Sequence, residues 1–143
     1  MSAGRICVRT VHVALPEESV RDAARRMREA DVGTLIVVDD KGNPMGVVTD
    51  RDVALRCVAE GRDPDTTRVA AVMTAPVLCV PESTPIEEAL RRMAGIAARR
   101  LAVTDDEGHL AGILALDDVM ELLVEEAEAI GRLLQRRHPQ LEA

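Results

Sequence analysis

No phenylalanine, tyrosine or tryptophan occurs anywhere in the 143 residues. That absence removes the stacking platforms on which single-stranded nucleic acids are held. It also means that any aromatic ring bound by this chain has to be packed by aliphatic side chains and backbone. Long apolar runs are missing too. The continuous apolar stretches, such as Leu35 to Val38, fall far short of the ~18 residues a membrane-crossing helix needs. The N-terminus lacks the apolar core of a signal peptide, so a cytoplasmic protein with no membrane partner is expected. No segment gathers five or six basic residues, and 18 basic against 25 acidic residues give a net charge of −7. A phosphate backbone would be repelled over most of such a surface, and nucleic acid is not expected as a partner.

Cysteine is sparse and unpatterned. Cys7, Cys57 and Cys79 form no C-x-x-C pair, which argues against both a disulfide framework and a zinc knuckle and leaves them as small core hydrophobes. His12, His109 and His138 lie in unlike segments with no H-x-x-x-H spacing, so no metal site is expected.

What the chain does have is a repeat. A shift of 66 positions lays Ala23-Ala24-Arg25-Arg26-Met27 on Ala89-Leu90-Arg91-Arg92-Met93, and Val37-Val38-Asp39-Asp40-Lys41-Gly42 on Val103-Thr104-Asp105-Asp106-Glu107-Gly108. Gly46 then falls on Gly112, and Asp52-Val53 on Asp118-Val119. From Val20 to Val53 there are 12 identities in 34 ungapped positions, far above chance. Each copy is near the lower size limit for an independent core, so two copies packed on one another are the natural stable object, and function is expected where they meet.

The local patterns agree between copies. Val11 to Leu15 alternates as a short strand stopped by Pro16. Val20, Ala23, Ala24, Met27 and Ala30 recur at helical spacing. Thr34 to Val38 and Met45 to Val48 read as a hairpin around Asp39 to Asn43, and a second helix runs from Asp50 to about Glu60, ended by Gly61. A polar linker, Arg62 to Thr67, leads to the second copy. There Val77 to Val80 reads as strand, and Thr84-Pro85-Ile86-Glu87 as a capping box opening a helix to about Ala97. Leu101 to Thr104 and Leu110 to Leu114 form the second hairpin. A longer last helix, from about Asp117 to Arg137, carries Val119, Leu123, Ala127, Ile130 and Leu134 on one stripe. The expectation is a mixed α/β (α+β) fold of two β-α-β-β-α repeats related by a pseudo-two-fold axis, with repeat one at 1–66 and repeat two at 67–143. An unburied stripe on the last helix points to a homodimer.

Gly46-Val47-Val48-Thr49-Asp50-Arg51-Asp52-Val53 after a hairpin, together with Val72-Met73-Thr74-Ala75-Pro76-Val77 opening the second copy, resembles a tandem pair of CBS domains, a Bateman module standing alone. The resemblance covers nearly the whole chain. It implies a regulatory module that binds an adenine nucleotide or adenosyl ligand between the repeats: AMP, ADP, ATP, S-adenosylmethionine or a dinucleotide. In that family the Thr and Asp of Gly46-x-x-Thr49-x-x-Asp52 contact the ribose hydroxyls, a role that suits a carboxylate acceptor beside a hydroxyl. The implied cleft adds Val47 and Val48 as aliphatic walls, Met73, Thr74, Ala75, Pro76 and Val77 near the base, and Arg51, Arg99 and Arg100 as phosphate contacts. Asp118 marks a second, weaker site, because Ala115 replaces the threonine there. One other reading stays open. Thr49 and Asp52 also have the spacing of a capping box, so the chain can be read as a ligand-free dimerisation or protein-interaction module. An enzyme is not expected, since no Ser/His/Asp or Cys/His set and no phosphate-binding glycine loop is recognisable.

Overall fold

A computed structural model of the chain describes residues 1–136. The first repeat opens with a short helix α1 (Ala3–Ile6) and continues through β1 (Val13–Ala14), α2 (Val20–Ala30), β2 (Thr34–Val38), β3 (Pro44–Thr49) and α3 (Asp50–Asp52), which runs on as a π-helical turn over Val53–Val58. The second repeat has the same order: α4 (Val69–Val72), β4 (Cys79–Pro81), α5 (Ile86–Gly95), β5 (Arg100–Thr104), β6 (Leu110–Ala115) and α6 (Leu116–Gln135). Each repeat supplies one three-stranded sheet, β1-β2-β3 or β4-β5-β6, with a parallel first pair and an antiparallel hairpin.

Local chemistry explains the elements. Ser19 caps α2 by accepting from the Asp22 N–H at 3.1 Å, and Val20, Ala23 and Met27 turn the buried face of the helix inward at i, i+3, i+7 spacing. Arg26 ties α2 to the sheet through the Val13 carbonyl at 2.6 Å and the Glu18 carboxylate at 2.8 Å. In the first hairpin Asp39 accepts from the Lys41 and Asn43 N–H groups, both at 2.9 Å. Those donors, the Asn43 N–H foremost, hold the Asp39 carboxyl below its usual range. Asp105 repeats the arrangement with the N–H groups of Glu107 and His109.

Several expectations change in detail. The strand expected at Val11–Leu15 is shorter, Val13–Ala14, and the one expected at Val77–Val80 starts later and runs one residue further, Cys79–Pro81, with Pro81 itself opposite Thr104; each pairs with only one neighbour. The capping box expected at Thr84–Glu87 does not form. Pro85 occupies the N-cap without a side-chain bond, and the first helical N–H, that of Ile86, donates instead to the Met1 carbonyl at 3.0 Å. The last helix is described to Gln135; Arg137 and His138 lie outside the described residues.

The packing holds one feature absent from the sequence reading. α4 belongs to the second repeat, yet Val69 and Val72 are fully buried in the first core with Val20, Leu35, Val37, Val48 and Cys57. Reciprocally, Ala3 and Cys7 of the first repeat sit in the second core with Val80, Ala89, Leu101, Leu114 and Val119. The repeats follow one another along the chain, while in space each lends its first helix to the other. Matching bonds fasten both crossings: Val69 N–H to Glu18 O at 2.9 Å and Ala3 N–H to Thr84 O at 2.8 Å. Just beyond each helix the chain bridges the other sheet, Thr74 against Val47 and Val8 against Ile113. Burying a valine fully is worth about 1.5–3 kcal/mol, so α4 alone is a substantial fastening.

Gly46 and Gly112 make these bridges possible. A Cβ on Gly46 would stand 2.8 Å from the Thr74 carbonyl oxygen, and one on Gly112 would stand 2.6 Å from Cys7 Sγ and 2.9 Å from the Val8 carbonyl oxygen. Gly46→Ala and Gly112→Ala are each expected to destabilise the protein by about 1–3 kcal/mol, as overpacking does. Urea unfolding is the check, with Gly61→Ala unsuitable as a control because its φ of 68° brings its own strain. Gly95→Ala, at a position with nothing within 4 Å, is the appropriate one.

Candidate functional site

The end of β3 meets the start of α3 at Thr49. The Asp50 N–H donates to the Gly33 carbonyl at 3.0 Å, which stops the ladder and turns the chain into the helix. A full capping box forms at once: Thr49 Oγ1 accepts from the Asp52 N–H at 3.1 Å, and Asp52 Oδ2 accepts from the Thr49 N–H at 2.9 Å. The Asp52 side chain is 14% exposed, and its second oxygen, Oδ1, lies 3.8 Å from Arg56 Nε. Arg56 Nη1 also donates to the carbonyls of Val72 at 3.2 Å and Met73 at 3.1 Å. Arg56 therefore joins the carboxylate of one repeat to the crossing segment of the other. Sequence reasoning missed it, although its i+4 spacing from Asp52 is the ion-pair signal of a helix face.

The crossing segment is brought to this junction. Thr74 exchanges both backbone bonds with Val47, at 2.8 and 2.9 Å, and the Met73 side chain comes up to Gly46. Ala75 and Pro76, joined by a cis peptide bond, are exposed, and Val77 is half-buried. Val47 is half-buried and accessible as a wall. Val48 is not: it points into the first core with no exposed surface, because alternate residues of a strand face opposite sides. It packs the protein and cannot pack a ligand. Arg51 is exposed, with its backbone N–H on Asp50 Oδ1 at 2.8 Å.

The arginine pair belongs to the other junction. Arg99 bonds to Asp117 at 3.2 Å and its carbonyl accepts from the Leu116 N–H at 2.9 Å. Arg100 opens β5 opposite Ala115 and lines a cavity of about 310 Å³ with Val8, Thr10, His12, Thr34 and Ile113 among its neighbours. Thr10 and His12 are the polar wall residues that the sequence offered no signal for; only the crossing of the first segment onto the second sheet puts them there. The lining of this cavity includes one guanidinium and no carboxylate. At the nearby helix start, Asp118 Oδ2 accepts from the Ala115 N–H at 3.3 Å. The reciprocal arm is missing, since alanine has no oxygen to offer. Leu122 stands where Arg56 stands in the first repeat. The two junctions are thus unlike: one has a complete polar box and a bridging arginine, the other a half-box beside an open, cation-bearing cavity.

The CBS domain family model matches residues 3–58 and 69–125, and those spans begin at the two crossing helices. The chain belongs to the CBS-domain family. An uncharacterised protein of Methanopyrus kandleri is 33% identical over 122 residues, which is 85% of this chain and 62% of that protein, so the chain spans under two thirds of that relative's length. The structure of a putative signal-transduction protein with CBS domains from Burkholderia ambifaria superposes with a TM-score of 0.77 at 27% identity, covering 99% of this chain and 100% of that one. The CBS domain pair of protein MJ0100, in complex with 5′-methylthioadenosine and S-adenosyl-L-methionine, has a TM-score of 0.76 at 21% identity over 88% of this chain and 98% of its own. At that identity the likeness is one of fold.

The half-box gives a direct test of what the first junction's polar groups do without ligand. Thr49→Ala is expected to cost about 1 kcal/mol of stability and Ala115→Thr to add up to about the same, as N-cap residues do. Thermal or urea unfolding of the two variants checks both signs.

Proposed function

We propose that this CBS pair is a regulatory module that binds an adenine nucleotide or related adenosyl ligand at the first junction, with Thr49 and Asp52 receiving the ribose hydroxyls. The observation that carries the reading is the convergence of both repeats on one short stretch: Thr74 pairs with Val47, two residues before Thr49, while Arg56 spans from Asp52 to the Val72 and Met73 carbonyls. A ligand seated there touches both repeats, so its binding favours one arrangement of them over others, by no more than its differential affinity. That the fold accepts adenosyl ligands is attested by the MJ0100 pair. Val47 and Val77 supply the aliphatic contact that a chain without aromatic residues must use. Arg51 is placed for a phosphate at the helix start. Arg100 lines the cavity with Thr10 and His12, and Asp118, with no hydroxyl at residue 115, marks a weaker ribose site. The module works as a homodimer, because Met120, Leu123, Val124, Ile130, Leu133 and Leu134 of α6 are each more than half exposed.

One observation favours a second reading. Thr49 and Asp52 already satisfy one another, as they would in a ligand-free interaction module whose polar pair is only a helix cap.

Calorimetric titration with AMP, ADP, ATP and S-adenosylmethionine decides between them. Asp52→Ala is expected to abolish the main binding event, and Asp118→Ala to leave it nearly unchanged. A ligand at 100 times its dissociation constant stabilises the folded state by about 2.7 kcal/mol, a melting shift of roughly 5–12 °C at this size. Asp52→Ala loses that shift. Equal loss in both variants would mean that the asymmetry of the junctions is irrelevant to binding, and no shift in the unaltered protein would leave the cap reading standing.

A further inference from the structure

The two crossing helices are fastened by different arginines. α1 and α4 have four residues each, so their last carbonyls find no partner within the helix. At α4 the partner comes from the receiving repeat: Arg56 Nη1 donates to the carbonyls of Val72 at 3.2 Å and Met73 at 3.1 Å, the side-chain form of a helix C-cap. At α1 the partner travels with the crossing segment itself. Arg9 Nη2 donates to the Gly4 carbonyl at 2.7 Å, while its Nη1 reaches the Glu82 carboxylate and, at 3.3 Å, the Ala111 carbonyl. The 66-position shift sets Arg56 on Leu122 and Arg9 on Ala75, so neither arginine has a counterpart in the other repeat. That difference decides what each helix is connected to. The groups that hold α1 make no bond to Asp118, whose recorded partner is the Ala115 N–H. Arg56, by contrast, carries its Nε to 3.8 Å from Asp52 Oδ1. The contact is an ion pair and too long for a hydrogen bond, so Oδ1 keeps its lone pairs for a hydroxyl donor. The carboxylate is held at two points, by the Thr49 N–H on Oδ2 and by the Arg56 charge beside Oδ1, and this fixes its plane. The winding of the chain marks the same spot. Val53–Val58, which contains Arg56, is a π-helical turn, whereas the counterpart stretch of α6 is ordinary α-helix, and π turns recur at functional positions.

Resting on the nucleotide reading above, we propose that Arg56 is a positioning residue through which occupancy of Asp52 tightens the α4 crossing, and that the second junction has no equivalent link. In this role Arg56 touches no ligand atom. It holds the plane of the Asp52 carboxylate for the ribose hydroxyls, and docked α4 in turn holds Arg56 through the Val72 and Met73 carbonyls. A ligand that favours the positioned carboxylate therefore favours docked α4, and by linkage docked α4 favours the ligand by the same factor. α1 lies outside this chain of contacts, because Arg9 fastens it to Glu82 and Ala111 whatever occupies the helix starts. Loss of one member of such a chain changes the coupling by about 2- to 30-fold. The Arg56 side chain is 50% exposed, and solvent screening keeps the effect in the lower part of that range.

Two variants of the full chain test the role, at a temperature where both remain folded. Arg56→Leu copies the residue at position 122, and Arg56→Gln keeps a donor for one carbonyl while removing the charge. Calorimetric titration with adenosine and with AMP is expected to show each variant binding adenosine roughly 2- to 10-fold more weakly, and AMP by the same factor, since the ribose hydroxyls are common to both probes. Amide hydrogen exchange supplies a readout that an arginine supporting only the fold would not move. Adenosine saturating the main site is expected to slow exchange at 69–73 by roughly 2- to 10-fold in the unaltered protein, to do so much less in either variant at equal saturation, and to leave 3–7 unchanged in all three. Weaker AMP binding with unchanged adenosine binding makes Arg56 a phosphate contact and overturns the positioning role. Unchanged adenosine affinity in both variants, or full ligand protection at 69–73 in both, reduces Arg56 to a helix cap; that overturns the inference and leaves the nucleotide reading standing. Equal slowing at 3–7 and 69–73 overturns the asymmetry between the crossings. No binding of either probe to the unaltered protein overturns the nucleotide reading and the inference together.

Discussion

The exchange of short helices between the repeats is the constraint on which the rest of the structure depends. Val69 and Val72 close the first core, and Ala3 and Cys7 close the second. Neither core is complete without residues from the other repeat. Two units that would each be marginal alone are thereby made to fold as one object. The same exchange carries the chain across the opposite sheet, where Thr74 meets Val47 and Val8 meets Ile113. Close backbone approach at both bridges demands glycine, and Gly46 and Gly112 are among the identities of the repeat for that physical reason.

Both junctions follow from that exchange. Each crossing segment lies against the strand that leads to a helix start, so both repeats meet at each junction. The symmetry of the scaffold then makes the differences between the clefts informative. At the first, Thr49, Asp52 and Arg56 form one connected polar set that reaches the crossing segment. At the second, Ala115 and Leu122 stand in the places of Thr49 and Arg56, and Arg99 and Arg100 stand where the first has Gly33 and Thr34. One scaffold thus offers two chemically different surfaces, with the Thr49–Asp52 box complete at only one.

The long α6 sets the second repeat apart from the first. Its first turn shapes the half-box, with Asp118 returning a bond to Ala115, while the remainder leaves the core and presents an apolar stripe.

Much of this was legible in the residues. The repeat, both hairpins, the helix starting at Asp50, the box at Thr49 and Asp52 and the asymmetry at Ala115 all rest on interactions within a few positions of chain, which spacing and residue type determine. Only the tertiary structure decided the rest. That Val48 faces the core while Val47 faces the cleft depends on strand register. That Thr84 and Glu87 form no box depends on the Met1 carbonyl arriving at the Ile86 N–H from a distant part of the chain. Arg100 turned toward the cavity with His12 and Thr10, and Arg56 spanned to Val72 and Met73, because the first helix of each repeat crosses to the other. A crossing of that kind leaves no local signature: Val69 and Val72 read as apolar in either core, and the hydrophobic effect that buries them has no direction of its own.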